Sequence, residues 1–353
     1  MKFIDWFAGI GGFRLGMEMA GHECVGFCEI DDNAYRSYIA MHKCTKEDIE
    51  YIKSLPMLIR RKEETNKSKY LKGEWYRKDI CQVNATEIPD SDIWCFGAPC
   101  QDFSLCNSKR KGLDGNKSKL VGEIFRLLQE IPKQNKPRWL VYENVEGMLS
   151  SNNGFDFLSI LDKMVELGYN CEWQLLNSKD FGVPQNRRRI FVVASLADAS
   201  CRQILPIYPS PIKNRNRLNR DKKYIKIKDS TQQGYALATT GDVISLSHPN
   251  STTRRGRVGR DICHTIDTHV DLFVIEDISQ HYNKYATTKV LIDNDWYYIT
   301  MRRITPLECF RLQGFDDIYY ERASVVNGDT ALYKQIGNSV TVNIVKEIGK
   351  RLK

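Results

Sequence analysis

Lys2-Phe3-Ile4-Asp5-Trp6-Phe7-Ala8-Gly9-Ile10-Gly11-Gly12 is the stretch whose reading decides the fold. Lys2 to Phe7 is a short apolar run of strand character, and Gly11 to Ala20 continues at helical spacing. Glu23 to Cys28 is a second strand-like run, and Asp31 to Met41 a second helical one. That alternation is the signature of a parallel sheet with crossover helices. The glycine-rich turn between the first strand and helix lets a ligand approach the backbone closely. Glu29 stands 20 residues beyond Gly9, at the end of the second strand, where an acid accepts hydrogen bonds from ribose hydroxyls. A nucleoside cofactor is the expectation.

Downstream, strand and helix alternation resumes at Asp92 to Gly97, Leu120 to Gln129, Trp139 to Tyr142, Phe155 to Leu167, Cys171 to Leu176 and Ile190 to Ala194. Two of these strands end on chemistry. Asp92 to Ala98 is apolar and β-prone, and Pro99 stops it, which sets Cys100 at the carboxyl edge of a sheet. Arg138 to Tyr142 delivers Glu143 to the same edge if the two strands are parallel neighbours. A thiol and a carboxyl then share a cleft at the edge where open α/β sheets bind ligands. A thiol with an ordinary pKa of ~8.5 is only a few per cent thiolate at neutral pH, yet it is a strong nucleophile. Cys28 and Cys95, inside apolar runs, read instead as buried structural cysteines.

The chain has 353 residues, enough for one main domain and a smaller one. Its 11 cysteines are odd in number and irregularly spaced, and no charged-apolar-small leader opens at Met1, so free thiols in a reducing cytosol are expected. No apolar run approaches membrane-spanning length. No Cys/His cluster has zinc spacing, so no metal is expected. Charge is concentrated: between Pro211 and Arg260, twelve Lys/Arg face three Asp, a net of +9 in a chain whose total is +8. A basic block of this kind is either a solvated face or a surface that tracks phosphates. His42 to Lys78 is a charged stretch that reads as an insertion, with an amphipathic piece around Ile49 to Ile59. From about Leu196 to Thr300 the helical period disappears, and after Thr305 it returns.

The words and their order resemble the cytosine-5 DNA methyltransferase family. The resemblance rests on Asp5 to Gly12, Glu29, Asp79-Ile80, Gly97-Ala98-Pro99-Cys100-Gln101-Asp102-Phe103-Ser104, Glu143-Asn144-Val145, Gln185-Asn186-Arg187-Arg188-Arg189, Arg303-Ile304-Thr305-Pro306 and Gly337-Asn338-Ser339-Val340. It runs from the first strand to the last helix, leaving out the charged insertion and the stretch from Leu196 to about Thr300.

The resemblance implies an α/β fold, a doubly wound and mostly parallel sheet of the S-adenosylmethionine-dependent methyltransferase kind, with a smaller β-rich target-recognition domain. Residues 1–196 plus 328–353 would form the first, with the insertion at 42–78, and 197–327 the second. Phe7, Gly9, Gly11, Gly12, Glu29, Ile30, Asp79, Ile80, Pro99, Asn338 and Val340 would surround S-adenosylmethionine. Cys100 would attack carbon 6 of cytosine, Glu143 in its acid form would bond ring nitrogen 3, and Asn144 would hold the strand end. Arg189 would reach the base carbonyl, and Arg187 a phosphate. Gln101, Ser104, Gln185, Arg187, Arg254, Arg255, Arg257 and Thr265 would contact DNA. Lys78 stands where the family often has glycine, and Cys106 where serine is common.

The implied partner is double-stranded DNA, with a restriction endonuclease linked genetically rather than physically. A monomeric bacterial protein is expected, cytoplasmic and nucleoid-associated when bound. A nicotinamide dehydrogenase would leave Pro99-Cys100-Gln101 and Glu143-Asn144-Val145 unexplained. An amino-group DNA methyltransferase would carry Asp/Asn-Pro-Pro-aromatic in place of Pro99-Cys100. A silent DNA-binding protein would most simply have lost Cys100 or Glu143, and an RNA-directed relative usually lacks a long recognition segment.

Overall fold

A computed structural model describes residues 1–97, 120–197, 203–208, 225–247, 251, 253, 255–277, 288–292 and 295–352. The opening stretch forms β1 (Lys2–Trp6) and α1 (Gly12–Met19), followed by β2 (Glu23–Cys28) and α2 (Asp32–Tyr38). Asp31 caps α2, accepting from the Asn33 and Ala34 backbone N–H groups at 2.9 and 3.2 Å. A π-helical turn, Ile39–Lys43, extends α2. Then come α3 (Lys46–Ser54), α4 (Leu58–Thr65), β3 (Trp75–Arg77), β4 (Ile93–Phe96), α5 (Leu120–Glu130), β5 (Trp139–Val145), α6 (Phe155–Glu166), β6 (Tyr169–Asn177) and β7 (Arg188–Leu196).

These strands make one seven-stranded sheet in the order β3-β2-β1-β4-β5-β7-β6. The pairs β3/β2, β2/β1, β1/β4 and β4/β5 are parallel, and β7 runs antiparallel to both β5 and β6. Phe3, Ile4 and Trp6 of β1, all of β4, and Trp139 to Tyr142 of β5 are buried. Such continuous apolar runs arise where helices cover both faces of a sheet. Cys28 and Cys95 lie in these cores as expected.

The β-rich part comprises β8 (Ile225–Lys228), β9 (Tyr235–Ala238), β10 (Val243–Ser245), β11 (Val258–Gly259), β12 (Leu272–Asp277), β13 (Thr288–Ile292) and β14 (Asp295–Arg303). β8 and β9 form a hairpin, and the other five an antiparallel sheet in the order β11-β10-β12-β14-β13. The helical period returns as α7 (Pro306–Leu312), α8 (Asp317–Val326), α9 (Asp329–Asn338) and α10 (Val342–Gly349). Thr305 and Glu308 close a capping box around the start of α7, with Pro306 in its first turn. One core joins Ile10, Leu15 and Met41 to Cys263, Ile266 and Val270 and to Phe310, Leu332 and Ile336. Another buries Val325 and Val326 of α8 with Phe27, Tyr35 and Tyr38. α10 packs along α1, where Gly16 lies flush against Val345. Among the described residues, no helix is long and apolar enough to cross a membrane.

Candidate active site

The parallel strands β1, β2, β3, β4 and β5 all end at one edge of the sheet. Strand order reverses between β1 and β4, so the crevice beyond their carboxyl ends is where such a sheet takes a ligand. After β1 the backbone turns left-handed at Phe7 (φ 56°), Gly9 (φ 57°) and Gly11 (φ 81°). The three glycines of this turn are small for different reasons. A methyl group added at Gly11 would meet the His42 ring nitrogen at 2.4 Å, and one at Gly12 would meet Ser339 Oγ at 2.6 Å. At Gly9 it would meet nothing within 4 Å. Gly11 and Gly12 thus answer to protein neighbours, whereas Gly9 opens onto free space.

Glu29 fastens this opening. Its carboxylate accepts from the Gly9 N–H at 2.7 Å with one oxygen and from the Asp31 N–H at 2.7 Å with the other. Burial raises its pKa, and those two bonds pull it back. Beside it Ile30 is 62% exposed, an apolar side chain held at the mouth of a polar cleft. Asp79 follows β3 at the same edge, half-buried, with its carboxylate accepting from the Cys81 N–H at 3.0 Å and the Gln82 amide at 3.3 Å. Asn338 closes α9, exposed. Ile80 and Val340 are buried in the core, so they back the cleft rather than line its opening.

Glu143 arrives from β5, the parallel neighbour of β4, with Phe96 opposite Tyr142. Its carboxylate stands against Gly97, where an added methyl would lie 3.2 Å from Oε2. Gly97 is the last described residue before Pro99 and Cys100, which lie outside the described residues together with Gln101 and Ser104. Arg189 in β7 places Nε 3.2 Å from Glu143 Oε1, and both side chains are largely buried. Burial pushes the Glu143 carboxyl above its ordinary range; Arg189 and, more weakly, Arg187 act against that rise. Asn144 turns inward: its Nδ2 donates to the Tyr142 hydroxyl at 2.6 Å and its Oδ1 accepts from the Val145 N–H at 2.8 Å. It therefore braces the strand that presents Glu143. The arrangement holds a carboxyl whose affinity for a proton is raised by burial, with a guanidinium beside it.

Several residues expected to face DNA do not. Gln185 is fully buried, its Oε1 accepting from the Ile266 N–H and its Nε2 donating to the Leu312 carbonyl, both at 2.9 Å. Arg187 is 2% exposed and donates to the carbonyls of Ile266, Gly337 and Ser339, so the phosphate role expected for it gives way to an internal one. Arg257 is also buried, donating to the Ser245 and Ser247 carbonyls. A guanidinium with five N–H groups satisfies carbonyls that irregular chain would otherwise leave unpaired. Arg255 is exposed and donates to the Ser230 carbonyl at 3.0 Å. Thr265 is exposed and donates to the Asn186 carbonyl at 2.7 Å. Arg254 lies outside the described residues.

Two contributors escaped the sequence reading because both fall in the charged stretch from 42 to 78. β3 adds a strand to the sheet edge and thereby sets Asp79 near Glu29; Trp75-Tyr76 was its only β-prone signal. His42 bonds the Ile10 carbonyl at 2.9 Å and packs between Tyr38 and Tyr319, and its burial drives its pKa down to about 3. A neutral imidazole thus props the glycine turn. The only hint in the sequence was Gly11, whose missing side chain must be answered by a neighbour.

The sequence profile of C-5 cytosine-specific DNA methylase matches residues 1–60 and 63–353. Similar curated proteins include the type II methyltransferase M.HhaI of Haemophilus parahaemolyticus, 30% identical, with 99% of this chain and 93% of that protein covered. The type II methyltransferase M.NlaX of Neisseria lactamica is 31% identical, with 100% and 96% covered. Among solved structures, the S. pombe Dnmt2 methyltransferase shares the fold at a TM-score of 0.58 and 17% identity, with 98% of this chain and 96% of that chain covered. A putative DNA modification methyltransferase encoded within an E. coli prophage does so at 0.55 and 18%, with 100% and 98% covered.

Proposed function

The chain belongs to the C-5 cytosine-specific DNA methylase family and is a DNA cytosine-5 methyltransferase, and from that premise we propose that it works on a flipped-out cytosine of duplex DNA through a covalent bond to Cys100. The observation that carries this reading is the Glu143 carboxylate against Gly97, three residues before Cys100 and at the end of the strand parallel to its own.

Carbon 5 of cytosine is a poor nucleophile. Attack of the Cys100 thiolate on carbon 6 forms a carbon–sulfur bond and moves the electron pair of the 5,6 double bond toward carbon 5 and ring nitrogen 3. Glu143, whose hold on a proton is strengthened by burial, would in its acid form donate to nitrogen 3 and neutralise the charge that develops there. Arg189, held on Glu143, would donate to the neighbouring base carbonyl. After carbon 5 is methylated, its proton leaves to a base, the carbon–sulfur bond breaks and nitrogen 3 gives its proton back to Glu143, which restores the ring, the thiolate and the acid. Splitting one difficult step in two is the gain of covalent catalysis.

S-Adenosylmethionine is the proposed methyl donor: it would supply an electrophilic methyl on a sulfonium and leave as the neutral thioether S-adenosyl-L-homocysteine. The turn fits such a ligand: Gly9 leaves open space at a left-handed backbone, and Glu29 stands beside it to accept ribose hydroxyls. Phe7, Ile30, Asp79 and Asn338 would hold the remainder. The target base must leave the stack, at a cost of a few kcal/mol, which contacts from the β-rich segment would offset. Base choice is assigned to the chain from about Leu196 to Thr300, with Thr265 supporting the extruded base from its tie to Asn186.

DNA with fluorine at carbon 5 of the target lacks the proton that must leave, so wild-type protein should remain attached to it in denaturing gels while Cys100→Ala should not. Trapping by Cys100→Ala as efficient as wild type would discard this nucleophile. Duplex DNA and tRNA tested in parallel establish which substrate is methylated.

A further inference from the structure

Arg187, immediately before β7, forms a buried polar joint between distant parts of the chain. Its Nη1 donates to the Ile266 carbonyl at 3.0 Å, and its Nη2 to the Gly337 and Ser339 carbonyls at 3.1 and 2.8 Å. The acceptors come from two distant parts of the chain. Ile266 adjoins Thr265, the residue proposed to support the extruded base. Gly337 and Ser339 flank Asn338, the residue proposed to complete the cofactor site. The two parts touch directly as well: a methyl group on Gly337 would lie 2.4 Å from the Asp267 carbonyl oxygen. Two residues beyond Arg187, Arg189 rests on Glu143.

We propose that Arg187 is a positioning residue for both substrates at once, one guanidinium setting Asn338 on the cofactor side and Thr265 on the base side of Glu143. The inference rests on the functional reading above and adds the link between its two halves. A planar fork of fixed N–H directions is suited to three carbonyls at one point, whereas a lysine ammonium of equal charge is a compact point donor that lacks the fork. The neighbouring Gln185 repeats the pattern on a smaller scale, gripping Ile266 from one end of its amide and Leu312 from the other. A phosphate-binding arginine would instead need its guanidinium exposed, and this one is buried.

The test uses full-length Arg187→Lys and three readouts: the dissociation constant for S-adenosylmethionine without DNA, the fluorescence of 2-aminopurine in place of the target cytosine, and affinity for duplex DNA. The first should rise by about 10-fold, as for the loss of a charge-assisted hydrogen bond, and the aminopurine signal should fall several-fold. Duplex affinity and its salt slope should stay near wild type. A melting midpoint fixes the folded fraction, so each readout is expressed per folded molecule. Arg187→Ala with and without millimolar N-ethylguanidinium is the second arm: the added guanidinium should restore the first two readouts together. Wild-type protein that binds S-adenosylmethionine and extrudes the base, with Arg187→Lys doing both equally well, overturns the positioning role and leaves the functional reading intact. So does guanidinium rescue of only one readout, or a salt slope lowered by about one, which would mark a phosphate contact.

Discussion

The carboxyl edge of the large sheet and the joint it makes with the β-rich segment treat polar side chains in opposite ways. At the edge, Glu29, Asp79 and Asn338 gather beside the open turn at Gly9, and Glu143 closes on Gly97 from the next strand. At the joint and in the β-rich segment, Gln185, Arg187 and Arg257 point inward and spend their donors on backbone carbonyls. The difference follows from how each region satisfies its backbone. A parallel sheet pairs its own N–H and C=O groups, so the acids at its ends are left to accept from the few N–H groups of the turns beside the crevice. An irregular segment has carbonyls without ladder partners, and long polar side chains are drawn in to meet them.

Glu143→Gln makes the largest break in this picture. Replacing this acid–base carboxyl should slow methyl transfer by ~10² to 10⁴-fold while DNA binding persists. Turnover within a few-fold of wild type would remove Glu143 from the chemistry.

Next comes Glu29→Ala, which deletes the acceptor of two backbone N–H groups at the glycine turn. Loss of charge-assisted bonds of ~1.5–3 kcal/mol should raise the dissociation constant for S-adenosylmethionine by roughly 10- to 100-fold, read by calorimetry, with duplex affinity nearly unchanged. Equal losses for both ligands would mean that the turn does not serve the cofactor specifically.

The pair Arg255 and Arg257 sharpens the contrast within one loop. Arg257→Ala should lower the melting temperature of the DNA-free protein, because the Ser245 and Ser247 carbonyls lose a donor, at a cost of ~1–3 kcal/mol. Arg255→Ala should leave melting alone and weaken DNA binding, by ~1–3 kcal/mol on the cognate site if it reads a base edge. Exchange of these two phenotypes would mean that the loop is arranged differently when it meets DNA.

The smallest effect is on stability against pH. Burial raises the Glu143 pKa, so the folded protein holds that proton more tightly than the unfolded chain does. Its favourable contribution is complete below the unfolded glutamate pKa of about 4.3 and is lost as pH rises through the higher folded value. Glu143→Gln, which stays neutral, should therefore melt a few degrees above wild type near pH 7, with the gap closing toward pH 4. A gap constant across that range would point to packing rather than titration.

Much of the site was legible because its residues stand at strand ends. Gly9, Glu29 and Glu143 each follow an apolar run whose length and direction were readable, and a parallel strand delivers its last residue to one known edge. β3 was not legible, since Trp75-Tyr76-Arg77 is three residues within a charged stretch and pairs only because β2 offers a free edge. Arg187 and Arg257 were misplaced for a different reason. An arginine within an arginine-rich run has the same appearance in sequence whether its guanidinium meets a phosphate or a carbonyl.

The sequence by itself determined the alternation of strand and helix, the family, and the residue types set at the strand ends. Those depend on local propensity and on short words. Tertiary structure alone decided which polar groups stand at the crevice and which tie the molecule together. That choice turns on carbonyls brought near Arg187 from Ile266, Gly337 and Ser339, far along the chain, and no local pattern records what folding will place beside a side chain.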